Sequence, residues 1–547
     1  MQNIIDINNF FDFDSQEPVN RIAYTEEDAK YKLKMMKYMK DLGMTITIDD
    51  VGNICGSLPG KFAKDKNLIV GSHTDSVTNG GQFDGPVGVY MALKAIEYCK
   101  NSMNPQYGNL KAVIYSAEES TRFSKACIGS DYLSGKLTLE KLANLKDKNG
   151  ISFNEAIAEY KNYIFSHLPE YGLNISDIHL VDKILEQKDI YEVIESHIEQ
   201  AETLSESNFA IGGVDSIVKP LRGSIKISGP NSIVTSAKIA VELNNFTYSE
   251  AKTTGSEVYR ISVPQFDSNT FSTSSSSCKE VYSENSNLLE ITASGESNHS
   301  GSTPMDKRKD AVLGLSKLIL KLDNLQKENP NIHFDFLGSN TKKWGPNQIQ
   351  DNASLILKID PPALLGVVRS YIEELEEENN KDVTFEVNSI EKAIVPNNSE
   401  TELFVDVRQQ FPATGTVTRN KLYNVFKNIQ ENKDFGDSSI SFNITSIDTP
   451  VQTTPELLEN ITKICYERKY PCKIMHSWAG HDLACILNPD TSNGKKVLFF
   501  IPSEGGSHNP HETTSRQNIE IGTNVYANLA LQRLTKIKDN YEKENSR

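Results

Sequence analysis

Two short apolar runs, each ending in residues able to bind metals or move protons, constrain this chain more than any other feature. Asn67-Leu68-Ile69-Val70-Gly71-Ser72 reads as a buried-type strand and runs into His73. Residues 110–116 read as a second such strand and lead to Glu118-Glu119. Between them, residues 85–99 carry a helical pattern. Strands alternating with helices argue for an α/β sheet. Open sheets of that class place their ligands beyond the carboxyl ends of the strands, where His73 and Glu118 fall.

Flanking segments agree with this class. Thr25-Glu26-Glu27-Asp28 has the form of a capping box and predicts a helix over 26–42. Ala29, Leu33 and Met36 recur along one face, as do Met35, Met39 and Leu42, and Gly43 ends the run. Strands are expected at 45–48 and around Ile54, joined by a turn over 50–53. Near the other end, 455–468 reads as a helix, 496–501 as a buried strand and 519–540 as a closing helix.

With 547 residues the chain exceeds the about 250–300 at which a single core stops growing. The middle differs in composition. Residues 247–288 are rich in Ser, Thr, Asn and Glu, including the run 272–277, and read in part as an insertion or long surface loop. Strand patterns at 288–294 and 382–408 and helical patterns at 309–326 and 362–377 form an α+β unit. The expected organisation is an α/β domain built from 1–213 and 449–547. It is interrupted by an inserted α+β domain over 214–448 with an extra loop near 230–285. No internal repeat is visible.

Lys+Arg number 57 and Asp+Glu 73, a formal net charge of −16. Such a surface repels nucleic acid and anionic lipid, so neither is expected as a partner. Seven cysteines, at 55, 99, 127, 278, 465, 472 and 485, form no CxxC pair. That argues against a disulfide framework and fits a reducing compartment. The first ten residues lack the basic and apolar regions of a signal peptide. No apolar run approaches the roughly 20 residues of a membrane span. The expectation is a soluble, cytoplasmic protein.

The strand ends carry the chemistry. In an extended segment residues i and i+2 point the same way, and a metal-bound imidazole needs a partner on its other nitrogen; Asp75 is placed to be that partner of His73. Asp84 lies among Gly80, Gly81, Gly85 and Gly88, and its two oxygens could bridge two cations roughly 3.5–4 Å apart. In Glu118-Glu119, one carboxylate can ligate while its neighbour meets water as a general base, and their mutual repulsion raises one pKa. His197 sits in Glu195-Ser196-His197-Ile198-Glu199-Gln200, and His508 follows Gly505-Gly506. Taken singly these are more often an Asp-Gly turn, a solvated acidic turn and structural histidines. Together they point to a two-metal hydrolytic centre that attacks with a metal-activated water.

The chain resembles the M20 metallopeptidase clan. Within it the likeness is greatest to the amidase/hydantoinase-carbamoylase branch: N-carbamoyl-L-amino-acid hydrolases, β-ureidopropionases, and allantoate and ureidoglycolate amidohydrolases. The matching segments run in order from Gly71-Ser-His-Thr-Asp75 and Gly81-Gln-Phe-Asp-Gly85 through Glu118-Glu119 with Arg122-Phe123 and Gly129-Ser130. They continue with His197-Ile-Glu-Gln200, His299-Ser-Gly-Ser-Thr-Pro-Met305 with Arg308 and Asp310, Ala479-Gly-His-Asp482, and Ile501-Pro-Ser503 with Gly506-Ser-His508. The resemblance implies an M20-type catalytic α/β domain with an inserted lid and dimerisation domain, and a homodimer. It implies two divalent ions. His73, Asp84 and His197 would hold one; Asp84, Glu119 and His508 would hold the other. Ligands without thiolate suit Zn, Mn, Co or Ni. Glu118 would be the general base, and His299, reaching the site from the dimer partner, would stabilise the oxyanion. Gln200 and Arg408 match substrate contacts, Arg408 suiting a carboxylate; His481 would line the pocket.

Departures from the family pattern fall on substrate contacts. Ala201 stands where the family has Gly, and Trp478 and Leu483 add bulk around Gly480-His481-Asp482. The family's substrate Asn aligns with Ala393; Asn397 or Asn398 could replace it only with a rearranged local loop. The leading expectation is hydrolysis of a linear, non-peptide amide bond in an N-carbamoyl-L-amino acid or an allantoate-like ureido acid. The alternatives are an M20 dipeptidase or aminoacylase-like enzyme, and a catalytically silent homologue that binds.

Overall fold

A computed structural model of the chain describes residues 6–104, 106–218, 221–229, 231–254, 259–268, 278–341, 348–378, 381–396, 400–409, 427, 438–447, 450–488 and 490–546. Two compact units divide it: residues 1–217 with 451–547, and residues 218–450.

Before the division the chain lays down β1 (Thr45–Ile48), β2 (Ile54–Leu58), β3 (Phe62–His73), β4 (Tyr107–Tyr115), β5 (Ile178–Leu180), β6 (Ile190–Ile198) and β7 (Ile211–Ile217). The second unit carries β8 (Leu221–Ser228), β9 (Tyr259–Ser268), β10 (Cys278–Tyr282), β11 (Leu288–Ser294), β12 (His333–Thr341), β13 (Asn352–Asp360), β14 (Thr384–Ser389), β15 (Lys392–Pro396), β16 (Glu400–Gln409) and β17 (Ser439–Ile447). The returning chain adds β18 (Val451–Gln452), β19 (Cys472–Ser477) and β20 (Lys495–Ile501).

The first unit is one ten-stranded mixed sheet in the order β18-β7-β20-β6-β3-β4-β2-β1-β5, with β19 beside β7. Its centre, β20-β6-β3-β4, is parallel. Residues alternate between two cores there: Leu68, Val70 and Ile194 pack under the helices Pro86–Ser102 and Arg516–Asn545, while Ile69, Val113 and Val193 join Leu483 and Ile486 on the other face. Burial on both faces is why β3, β4 and β20 read as apolar runs; β6 does not, because the buried Glu192, Glu195 and Ser196 stand among its apolar residues. The register sets the site: His73 pairs with Tyr115, Gly71 with Glu195, and His197 with Phe500. His73, the Glu118-Glu119 turn, His197 and the loop after Ile501 therefore emerge at one edge.

The N-terminal helix forms at Glu26–Asp41, with the Thr25 side chain accepting from Asp28 N–H. Asp28 does not return to Thr25. Its carboxylate accepts from Tyr24 N–H and the buried Lys32 ammonium, 3.2 Å away, because an interior cation needs an interior anion. The closing helix spans Arg516–Asn545, longer at both ends than expected: Ser515 caps its start, and its last turns make contacts such as Tyr107–Glu542.

The second unit is an α+β body. Its sheets are β17-β8-β16-β9, β12-β13-β11-β14 and the pair β10-β15. The segment expected to be an extra loop near 230–285 carries regular secondary structure among its described residues. It holds the helix Ser232–Thr254, β9 and β10. Ile233, Val234, Ala237, Ala240 and Leu243 face the core at helical spacing, and Ile261 and Val263 at strand spacing. The apolar period over 233–243 is clear; the polar stretch 247–288 that follows it carried the expectation of a loop. The Ser272–Ser277 run lies outside the described residues. No helix among the described residues is long and apolar enough to cross a membrane.

Candidate metal centre

Two groups of buried ligand atoms converge at the sheet edge: His73, Asp84 and His197, and Asp84, Glu119 and His508. Asp84 belongs to both. Its Oδ1 lies 3.0 Å from His197 Nε2 and 3.7 Å from His73 Nε2, and its Oδ2 lies 3.7 Å from His508 Nε2. Glu119 Oε1 lies 3.1 Å from His508 Nε2.

The donor set fits cations. His73 Nδ1 faces the Asp75 main-chain carbonyl at 3.0 Å, and His197 Nδ1 faces the Ile198 carbonyl at 2.9 Å. A carbonyl only accepts, so both Nδ1 atoms carry hydrogen, and each ring in its neutral form turns an Nε2 lone pair inward. Those nitrogens are 3.4 Å apart and confront a carboxylate. Such an arrangement, buried and aimed at one point, is what a divalent ion requires.

Acid–base behaviour shows the same crowding. Burial takes the His73 imidazole down to about 4. Burial also pulls on His197, but the Asp84 carboxylate outweighs it and holds that ring up at about 9. Burial alone would raise Asp84; the imidazoles of His197, His508 and His73 drive it well below the usual carboxylate range. Glu118 goes the opposite way, raised by burial and then by the Glu119 carboxylate.

Close approach explains the glycines around Asp84. A Cβ on Gly81 would stand 2.4 Å from Glu512 Oε1, and one on Gly85, at φ +84°, would meet the His73 ring at 2.5 Å.

Glu118 sits beside the ligands, its Oε2 3.9 Å from His73 Nε2. Asp75 plays a part other than the one read from its spacing. Its main chain, not its carboxylate, makes the close contact to His73; the carboxylate is 3.7 Å away. That carboxylate accepts from the N–H groups of Glu118 and Glu119, at 3.3 and 3.0 Å, where Ala117 turns the chain at φ 53°. Gln200 donates to Asp84 Oδ2 at 2.7 Å. His481 packs its ring 4.8 Å from that of His197, with Nε2 2.9 Å from Ser477 Oγ.

His299 and Arg408 belong to the second unit, and both are buried there. Arg408 Nε donates to Asp406 Oδ1 at 2.9 Å, and Arg222 Nε to Asp406 Oδ2 at the same distance. Ala393 packs against Leu288 and Val395. Asn397 and Asn398 lie outside the described residues.

Sequence reasoning missed the supports. Glu512 accepts from Phe83 N–H and Asp84 N–H at 3.1 and 2.9 Å, and from Ser507 Oγ at 2.9 Å; Ser507 Oγ also lies 2.6 Å from Asp84 Oδ2. Glu195 takes Ser72 Oγ and Leu483 N–H. Cys127 Sγ lies 3.5 Å from Glu118 Oε1. An acidic residue four places after His508 and another two before His197 were the available signals.

The profile of Peptidase family M20/M25/M40 matches residues 69–532. The chain belongs to this family. It is 24% identical to an allantoate amidohydrolase of Escherichia coli, covering 95% of this chain and 94% of the relative. It is 23% identical to an N-carbamoyl-L-amino-acid amidohydrolase of a Pseudomonas species, over 93% and 91%. Among solved structures, a hydantoinase/carbamoylase-family amidase from Burkholderia vietnamiensis shares the fold, with TM-score 0.54 and 19% identity over 95% of this chain and 93% of that one.

Proposed function

We propose that this chain is a binuclear metal-dependent amidohydrolase that cleaves a linear amide C–N bond in an N-carbamoyl-L-amino acid or an allantoate-like ureido acid. The observation that carries the reading is the pair of buried donor groups sharing Asp84, with the Glu118 carboxylate beside them. The amidohydrolase relatives, matched over nearly their whole length, support the choice of bond.

His73 and His197 would hold one ion, Glu119 and His508 the other, with Asp84 serving both; Zn, Mn, Co or Ni suits such ligands. When bound, such ions polarise the scissile carbonyl and acidify water. Glu118 would take the proton from the attacking water and deliver it to the leaving nitrogen. Asp75 aids it by fixing the turn that separates Glu118 from Glu119. Arg408 would receive the substrate carboxylate and His299 would stabilise the developing oxyanion. His481, beside His197, would bound the pocket, and Gln200 would exchange its Asp84 contact for substrate. The working form in this reading is a cytoplasmic homodimer.

Ammonia release from N-carbamoyl-L-amino acids and from allantoate, set against dipeptide cleavage, tests the reading, with metal content measured on the same sample. Stoichiometric metal and ammonia release are expected. Dipeptide cleavage without ammonia release, or protein that neither holds metal nor turns over after Zn²⁺, Mn²⁺ or Co²⁺ is supplied, would overturn it. Glu118→Gln should keep its metal and lose turnover about 10²–10⁴-fold; full activity would sink the assigned base.

A further inference from the structure

The second unit holds His299 in a way that selects which nitrogen carries its proton. Nδ1 receives the main-chain N–H of Ser302 at 2.9 Å and that of Gly301 at 3.2 Å. A nitrogen that accepts cannot bear the proton, so the neutral ring is the Nε2–H tautomer and Nε2 is a donor.

Each of those two peptide groups is gripped from its other end. The peptide whose N–H belongs to Ser302 has its oxygen on Gly301, and Arg260 Nη1 donates to that oxygen at 2.7 Å and to Ser302 O at 2.6 Å. The peptide whose N–H belongs to Gly301 has its oxygen on Ser300, to which Arg308 Nη2 donates. Arg308 also donates from Nε to Thr303 O at 3.1 Å, and from Nη1 to Ile261 O, beside Arg260 on β9, at 2.8 Å. A cation on the carbonyl polarises the whole peptide and strengthens its N–H as a donor. The guanidinium groups thus act on His299 through two amide planes.

The same strand pair carries Arg408. Arg260 and Arg408 are Cα partners across β9 and β16, and Arg408 is oriented by Asp406. One stretch of backbone therefore sets both the His299 loop and Arg408.

We propose that Arg260 and Arg308 are positioning residues for hydrolysis: they hold His299 as an Nε2–H donor at a fixed offset from Arg408. The proposal rests on the reading above in which His299 and Arg408 act on substrate. It adds that the donor at His299 is supplied as one preset tautomer and not selected when substrate arrives.

Two measurements on Arg260→Ala, Arg260→Lys and Arg308→Gln test it. The first is kinetics on whichever N-carbamoyl-L-amino acid or ureido acid the wild type hydrolyses, with metal content and thermal unfolding recorded for each variant. Arg260→Ala should lower kcat about 10–100-fold with KM changed less than about threefold. Metal content should not change, and Arg260→Lys should recover part of the loss. The second is nitrogen NMR of histidine-labelled protein, with His299 identified by the signal lost in His299→Ala. The wild type should show His299 protonated at Nε2 alone, and Arg260→Ala or Arg308→Gln should lose that single tautomer. A variant that fails to fold is replaced in both measurements by the other two. Nδ1 protonation in the wild type, or unchanged tautomer and kcat in the folded variants, would overturn the proposal. If the wild type hydrolyses none of these substrates, the functional reading falls and the catalytic role of the clamp with it. The NMR result still distinguishes that failure from a failure of the clamp.

Discussion

The two donor groups that share Asp84 are built differently. His73 and His197 sit at or next to the ends of neighbouring parallel strands, and each turns Nδ1 onto a main-chain carbonyl of its own segment. The sheet that makes the core also makes this half of the site. His508 sits in a loop at φ 66°, reached only after the chain has returned from the inserted unit. Glu119 follows a turn at Ala117. This second half depends on side chains that tie loops together: Asp75 on the Glu118-Glu119 turn, and Glu512 and Ser507 between the His508 loop and Asp84. A site assembled this way has one half set by strand register and one half set by side-chain hydrogen bonds.

The hardest blow to that comparison is to remove what the halves share. Asp84→Asn leaves one oxygen where each group had its own, and puts an amide nitrogen against an imidazole. Bound metal should fall from two equivalents to fewer than one, and turnover should drop at least about 10³-fold, as for loss of an essential group. Two equivalents retained at full activity would remove Asp84 from its bridging place.

A second experiment separates the halves. His508→Ala should keep close to one equivalent of metal, because the His73–His197 group is complete without it. His197→Ala should lose more, because it breaks the group whose two histidines are held by strand ends. Metal titrations of both variants, followed by elemental analysis, check this. Equal losses would mean that the groups form as one unit and that the distinction between strand and loop is immaterial.

The same division explains what was legible in the sequence. Three of the four strands at the parallel centre, β3, β4 and β20, could be read because strands buried on both faces are written as apolar runs, and the residues following β3 and β4 announce themselves as His73 and Glu118-Glu119; β6 could not, because Glu192, Glu195 and Ser196 interrupt its apolar residues. The strand β11 and the helix around residues 311–328 were legible for the same reason of clear periodicity. The helix Ser232–Thr254 carries as clear a period over 233–243, but the polar stretch 247–288 that overlaps its end led to the expectation of a loop. Asp75 was read as a side-chain partner of His73 because i and i+2 share a face, but main-chain geometry put its carbonyl there and left the carboxylate for two N–H groups. Glu512 was missed for a related reason: nothing local shows that an acidic residue after His508 will meet the N–H groups of Phe83 and Asp84. Partners distant in sequence leave no spacing to read.

Glu512 gives the smallest and most selective of these effects. Its carboxyl accepts from two buried N–H groups and from Ser507, and it touches no other ligand of the first half. Glu512→Ala strands those two donors, at about 1–3 kcal/mol for a buried group left unpaired, and should lower affinity for the second ion about 10–100-fold. Glu512→Gln keeps an amide oxygen for the two N–H groups and an amide nitrogen that can donate to Ser507, whose hydroxyl still reaches Asp84 Oδ2. It should retain most of the affinity that the alanine variant loses. Titrating each variant with one and then two equivalents of metal reads the effect directly. Loss confined to the second equivalent is the expected outcome, since the His73–His197 group owes its geometry to the sheet. Loss of the first equivalent as well would show that the Asp84 backbone, and not the strand ends, is what holds both halves in place.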